Sequence, residues 1–171
     1  MISSVQMMMN PNKPELKELF DGLKSYLAYG YVNELSPEDP AKDAFDYLNA
    51  LYLANQHEGL VFCKLILESE ILYNDFLRAT CLSYLLLSES GREYSFSFFI
   101  ENSKALSVPL LKEALFYFYC AKNETDPYPV PEGLFKNLME RYEELKDDPD
   151  AKIYHLHETY NDFLKAYSLN N

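Results

Sequence analysis

Apolar residues recur every three or four positions through most of the chain, the period of a helix that buries one face. Leu16, Leu19, Phe20, Leu23 and Leu27 predict a helix over 15–29, stopped by Gly30. A second helix opens at Asp39-Pro40. It carries Ala44, Phe45, Leu48, Leu51 and Tyr52 on one side, with Asp39, Asp43, Asp46 and Asn49 away from them. Leu60 to Leu67, bounded by Gly59 and Glu68, and Asn74 to Ser88, closed by Gly91, are apolar enough to be buried almost all round. A helix over 92–102 presents Phe96, Phe99 and Ile100, and one capped by Ser107 presents Leu110, Leu111, Ala114, Leu115 and Phe118. After a loop at 123–130, Pro131 starts a helix that runs to Leu145. The last helix, from Pro149, has Ile153, Leu156, Tyr160, Phe163, Leu164 and Tyr167 in its stripe and Lys152, His155, Thr159 and Asp162 outside it.

Pro14, Pro40, Pro109, Pro131 and Pro149 each stand at the start of one of these stretches, where a missing N–H has no intrahelical partner to lose. The shorter apolar segments have no hairpin turn dipeptides between them, which argues against strands. The fold class is therefore all-α, with about eight helices joined by short links into antiparallel hairpins. Second members of the hairpins begin near Pro40, Asn74, Val108 and Pro149, at spacings of roughly 34, 34 and 41 residues, within the range of helical repeats. Phe76-Leu77-Arg78 with Leu82 and Tyr84 aligns with Leu110-Leu111-Lys112 with Phe116 and Phe118, and this pattern resembles the second helix of a HEAT-like repeat. Two architectures stay open, a HEAT-like right-handed stack and an irregular helical bundle. The expected organisation is one all-helical domain over 13–171 behind a frayed N-terminus, Met1 to Asn12, which includes the Met7-Met8-Met9 run.

Charge narrows the choice of partner. The 171 residues carry 27 acidic and 15 basic side chains, a net charge of −12 spread along the whole chain. Such a surface repels a phosphate backbone and has no basic stripe to release counterions, so no direct nucleic-acid binding is expected. It attracts a basic partner, and it equally serves plain solubility. With no run of about 18 apolar residues and no basic-then-apolar leader, the reading is a cytoplasmic protein without a membrane association. Cys63, Cys81 and Cys120, all inside apolar stretches, read as buried free thiols.

Candidate chemistry is sparse. His155 and His157 lie two residues apart, which on a helix points them away from each other, unlike ligand pairs at i, i+4, so no metal is expected. His57 reads as a cation beside the carbonyl end of the preceding helix. Asp147, Asp148 and Asp150 suggest a calcium loop only in part, because Pro149 and Ala151 interrupt the ligand alternation; a helix cap is the reading instead. Glu140, Glu143, Glu144 and Asp147 make a like-charge row, which either invites a basic partner or is a solvated face relieved by Arg141 and Lys146. The five glycines are scattered, so no loop is built to cradle phosphates, and no serine sits in a nucleophile elbow. Neither catalytic residues nor a cofactor are expected. Tyrosine is the remaining lead: there are 15, among them Tyr26, Tyr29 and Tyr31 around the end of the first helix, Tyr117 and Tyr119 flanking a core position, and Tyr128 between two loop prolines, expected to be exposed.

A small, acidic, tyrosine-rich, all-helical chain with the Phe76 to Tyr84 and Leu110 to Phe118 pattern resembles the immunity proteins of contact-dependent growth inhibition and related bacterial polymorphic toxins. The resemblance implies a non-catalytic antidote that covers the active site or an exosite of a cognate basic toxin, such as a nuclease. Carboxylates would stand in for phosphate oxygens toward the toxin's Lys and Arg, and tyrosine anchors would slow dissociation. The face expected to bind combines Asp39, Asp43 and Asp46 of the second helix with Glu113, Tyr117, Tyr128 and Asp162. The alternative is a helical scaffold that binds a peptide or protein through an apolar groove.

Overall fold

The computed structural model describes residues 15–35 and 38–169. Pro14 and the segment Met1 to Asn12 lie outside the described residues. Nine α-helices and one 3-10 turn, with no strand, make up the described part, so the fold is all-α. They are α1 (Leu16–Tyr29), α2 (Pro40–Ala54), α3 (Gln56–Glu68), α4 (Asp75–Leu87), α5 (Glu89–Asn102), the 3-10 turn Ser103–Ala105, α6 (Val108–Ala121), α7 (Leu134–Leu145), α8 (Pro149–Ile153) and α9 (Leu156–Ala166). Their contacts separate into two units, Met1–Leu72 and Tyr73–Asn171.

In the first unit α2 packs against both α1 and α3. Leu19, Leu23 and Tyr26 of α1 meet Ala44, Leu48 and Leu51 of α2, while α3 contributes Phe62, Cys63, Ile66 and Leu67 to the core. Tyr26 thus leaves the expected tyrosine cluster for the interior, whereas Leu16, expected in the stripe, is largely exposed.

In the second unit α4, α6 and α9 lie side by side, α5 packs on α4, and α7 packs on α6 and touches α5. The pairing departs from the expected hairpins, because α5 packs on α4 and not chiefly on α6; α4, α6 and α9 form one layer, and α5 and α7 pack on it as a second. Leu77, Leu82, Leu85, Phe96, Phe99, Leu111, Leu115, Phe118, Leu138 and Phe163 fill the space between the layers. The alignment of α4 with α6 does not carry equal burial, however. Leu77 and Leu111 are both in the core, but Phe76 is exposed where Leu110 is buried, and Leu82 is buried where Phe116 is exposed. The two helices therefore present different faces at the aligned positions, because α6 has α4 and α9 on its two sides and α7 behind it.

Two hairpins are closed by the same device. Asn55 ends α2 and begins α3: its N–H donates to Leu51 O and its Oδ1 accepts from the Glu58 N–H. Ser88 does likewise between α4 and α5, taking the Gly91 N–H on its Oγ at 2.9 Å. A one-residue link forces the backbones together, and a glycine in the following turn makes room. A Cβ on Gly59 would lie 2.7 Å from Tyr52 Cα, and one on Gly91 would lie 2.2 Å from Leu85 O. Both glycines, expected to bound helices, are inside them for this reason. His57 consequently falls in the first turn of α3, at the amide end of that helix.

Other boundaries follow the sequence in part. Asp39 caps α2 with Pro40 at its first position, and Asp148 caps α8, accepting from the Asp150 N–H at 2.9 Å. Pro131 stands in a turn, its carbonyl accepting from the Leu134 N–H, and α7 opens only at Leu134. Ser107 precedes α6 but its side chain caps nothing; its buried Oγ makes no hydrogen bond in the structure. The last helix breaks in two, since His155 adopts φ 54° and separates α8 from α9. Ile153 is therefore exposed instead of in the stripe, while Thr159, expected outside, is buried with its hydroxyl donating to His155 O.

Candidate functional site

A groove of about 590 Å³ opens on the first unit between α1, the turn after it and α2. Its construction begins in the sequence at Gly22, a glycine in the middle of a helix, where it costs about 1 kcal/mol relative to alanine. The Tyr47 ring occupies the place of the missing side chain: a Cβ there would lie 2.4 Å from Tyr47 Cε2. Lying across α1 at that notch, Tyr47 donates from its hydroxyl to Glu18 Oε1 at 3.4 Å. Burial, with the Glu18 and Asp43 carboxylates adding to it, raises the Tyr47 pKa, so this hydroxyl stays a donor.

The opposite wall comes from the chain reversal. Gly30, at φ 81°, donates to Tyr26 O and turns the chain; Ser25 Oγ donates to Tyr31 O at 2.8 Å and ties the turn back to α1. Val32 is buried, and Asn33 Oδ1 accepts from the Leu35 N–H. These anchors place the Tyr31 ring against Tyr29, centroids 5.7 Å apart and nearly parallel. Tyr29 is 71% exposed. The lining includes the carboxylates of Glu15, Glu18, Asp21 and Glu34 against one ammonium, Lys17. Among the described residues Glu15, Asp21 and Glu34 form no ion pair.

The expected binding residues are distributed unevenly around this arrangement. Asp39 is occupied as the α2 cap, accepting from the Lys42 N–H at 3.1 Å. Asp46 is paired with Lys42 Nζ at 3.0 Å and lines a separate hollow with Leu53. Asp43 alone of the three acts on the groove, through its field at Tyr47. In the second unit Tyr117 and Tyr128 meet on one partner, since both pack edge-on against Phe96, at 5.7 and 5.5 Å. Tyr128, expected exposed, is thus half-buried and pins the loop to α5. Glu113 lies one turn before Tyr117 on α6, and Asp162 is exposed on α9.

Burial raises the Glu113 pKa, with Lys112 opposing weakly. A carboxyl whose folded pKa lies above its unfolded one binds the proton more tightly in the fold, so its effect on stability is absent below the ordinary glutamate pKa and grows as pH rises through that range. Glu113→Gln is expected to be more stable than the wild type at pH 7, with the gain shrinking toward zero as the pH falls below 4, checked by urea unfolding at both values.

The remaining candidates have structural partners. His157 Nδ1 is hydrogen-bonded to the Tyr142 hydroxyl, and Tyr142 stacks on Tyr160 with centroids 3.6 Å apart. His155 is 3.9 Å from Glu158. No group of three or more His, Cys, Asp or Glu among the described residues is arranged to hold a metal ion. The acidic row on α7 is relieved locally, by Arg141–Glu144 within the helix and by Lys146 at its C-cap on Glu143, both 2.7 Å. Cys63 and Cys81 are buried, but Cys120 is exposed on α6, its thiol pKa raised by partial burial and by Glu124. That shift favours the unreactive thiol. No described helix is long and apolar enough to cross a membrane.

Sequence reasoning missed Glu18, Glu34 and Tyr47 as a group. The available signal was Gly22, a helix-interior glycine whose cost is explained only by something lying against it. No protein-family model matches the chain, and no characterised protein matches it.

Proposed function

We propose that this protein is a non-catalytic binding protein that captures a basic protein partner through its acidic face, and that the partner is a toxin, such as a nuclease, which it neutralises by covering the active site or an exosite. The observation that carries the reading is the groove between α1 and α2, where four carboxylates face one ammonium beside three tyrosines, Tyr29, Tyr31 and Tyr47. Unpaired carboxylates next to one another repel, and that cost is relieved only when a cation arrives. The overall charge of −12 steers such a partner in from a distance, and the tyrosines supply rigid contact area once it has docked. The resemblance to toxin immunity proteins supplies the biological class.

The test is capture from native lysate at low salt and at about 0.5 M salt, where the Debye length shrinks to roughly 4 Å. A basic partner held at low salt, released at high salt and inhibited enzymatically by the chain supports the reading. A partner retained at high salt through apolar contact would replace it with the scaffold alternative. Once a partner is in hand, the Glu18→Lys, Asp21→Lys double variant is expected to lower the association rate about tenfold at low salt and to flatten its salt dependence, measured by stopped flow. Asp46→Asn, which removes a charge already matched by Lys42, is expected to change the rate less than twofold.

A further inference from the structure

We infer that the outer face of α4 and α6 is a second docking surface, whose occupant is an amphipathic helix of a protein partner with an apolar ridge and a basic residue at its border; this stands independently of the α1–α2 groove. A quarter of the chain is charged, yet residues 74–88 carry only Asp75 and Arg78, and residues 105–121 only Lys112 and Glu113. The two helices lie side by side, with α5 packed on α4 and α7 on α6. Along α4, Phe76, Thr80, Ser83 and Leu87 follow one line, at spacings that keep them on one side of the helix, over about 16 Å. Its ends are bulky and open to solvent, Phe76 at 58% and Leu87 at 68%, and its middle is small. The Thr80 hydroxyl is spent on Phe76 O at 3.0 Å, so its proton is already placed within the helix. On α6, Phe116 is 52% exposed, with Tyr119 and Cys120 exposed one turn further on. Large apolar side chains gathered on the solvent side of two adjacent helices mark a contact surface. The uncharged surface ends at α6, because α9 on its other side exposes His157, Glu158, Asp162 and Lys165.

Charge decides what covers this face. Glu113 stands one turn before Phe116 on α6, half-buried, and among the described residues it forms no ion pair. Burial holds its pKa above the ordinary glutamate value, with only Lys112 opposing. A cation delivered beside Phe116 relieves that cost. A second copy of the chain would bring another Glu113 and another net charge of −12, and an anionic lipid surface is repelled by the same charge. The shape of the occupant follows from the line on α4: positions at i, i+4, i+7 and i+11 match the apolar ridge of a helix laid along them. Packed helix axes lie about 8–10 Å apart, so one helix over the furrow between α4 and α6 touches both.

The experiment is calorimetric titration of the full chain with a helical peptide of about five turns, leucine on one face and lysine along its border, against a peptide of the same composition in shuffled order. About 0.5 M salt screens the general attraction of an acidic chain for lysine. The amphipathic peptide is expected to bind about tenfold more tightly than the shuffled one. Phe116→Ala and Leu87→Ala, one on each helix, are each expected to weaken it about fivefold, and Glu113→Gln about threefold. Both truncated side chains are exposed, so the variants keep their fold, which circular dichroism verifies. Glu18→Lys, Asp21→Lys is expected to leave this binding within twofold of wild type, which separates this face from the α1–α2 groove. Equal binding of the two peptides, or binding unchanged by Phe116→Ala or Leu87→Ala, overturns the docking surface. Binding unchanged by Glu113→Gln overturns the basic border of the occupant, and binding lost in the Glu18, Asp21 reversal places the peptide in the groove instead. Self-association of the wild type that Phe116→Ala abolishes, read by sedimentation equilibrium, makes the occupant a second copy, and binding of phosphatidylcholine vesicles that the same variant abolishes makes it a lipid surface; either overturns the partner helix.

Discussion

Truncation of Phe118 to alanine is expected to destabilise the second unit by about 3–5 kcal/mol, a loss read in urea unfolding and in the hydrogen exchange of α6 amides. The residue is 1% exposed in the middle of α6. Its ring lies 5.1 Å from Phe96 and 5.0 Å edge-on from Phe135, and Phe135 in turn contacts Phe163 and Tyr167. One side chain thus joins α5, α6 and α7 and, through Phe135, reaches Phe163 of α9. Removing it leaves a cavity walled by rings that cannot all move inward, because Tyr167 is tethered by its hydroxyl to Phe118 O at 2.7 Å, a backbone bond the substitution leaves in place. Phe116→Ala is the control. Two residues away on the same helix, Phe116 is 52% exposed, and its loss is expected to cost less than about 1 kcal/mol. Similar costs for the two variants would mean that α6 is rotated from the orientation described.

That contrast also marks where the sequence was legible. Helical periodicity identified every long helix, since a stripe at 3.6 residues is a property of local sequence. The caps at Asp39 and Asp148 and the stop at Gly30 were readable for the same reason: each acts on amides or carbonyls within four residues. Positions whose roles depend on a distant segment were not. Phe116 and Leu82 align in sequence but differ in burial, because the neighbours of α6 are set by packing beyond the hairpin. Tyr128 looked exposed between two prolines and is instead held by Phe96, 32 residues earlier in the chain. In the groove, the carboxylates were visible as charge but not as a group. The Asp39, Asp43, Asp46 series looked uniform, although one caps a helix, one pairs with Lys42, and only Asp43 acts on Tyr47.

The glycine at the α4–α5 link offers the sharpest test of how the hairpins close. Gly91→Ala is expected to destabilise the second unit by about 2–4 kcal/mol, the sum of overpacking and a lost cap, although alanine is the better helix former by about 1 kcal/mol. The new methyl would stand 2.2 Å from Leu85 O and 2.6 Å from Ser88 Oγ. Neither neighbour is free to yield: the Leu85 carbonyl accepts from both the N–H and the hydroxyl of Ser88, and the Ser88 Oγ takes the Gly91 N–H. The backbone must therefore open at the one-residue link, and the cap opens with it. This makes the costs non-additive. Ser88→Ala alone should cost about 1 kcal/mol, but in the Gly91→Ala background it should cost close to nothing, because the bond it removes is already broken. Full additivity in the double-mutant cycle, read from urea midpoints, would show that the cap survives the methyl and that the close approach at Gly91 is not what closes the hairpin.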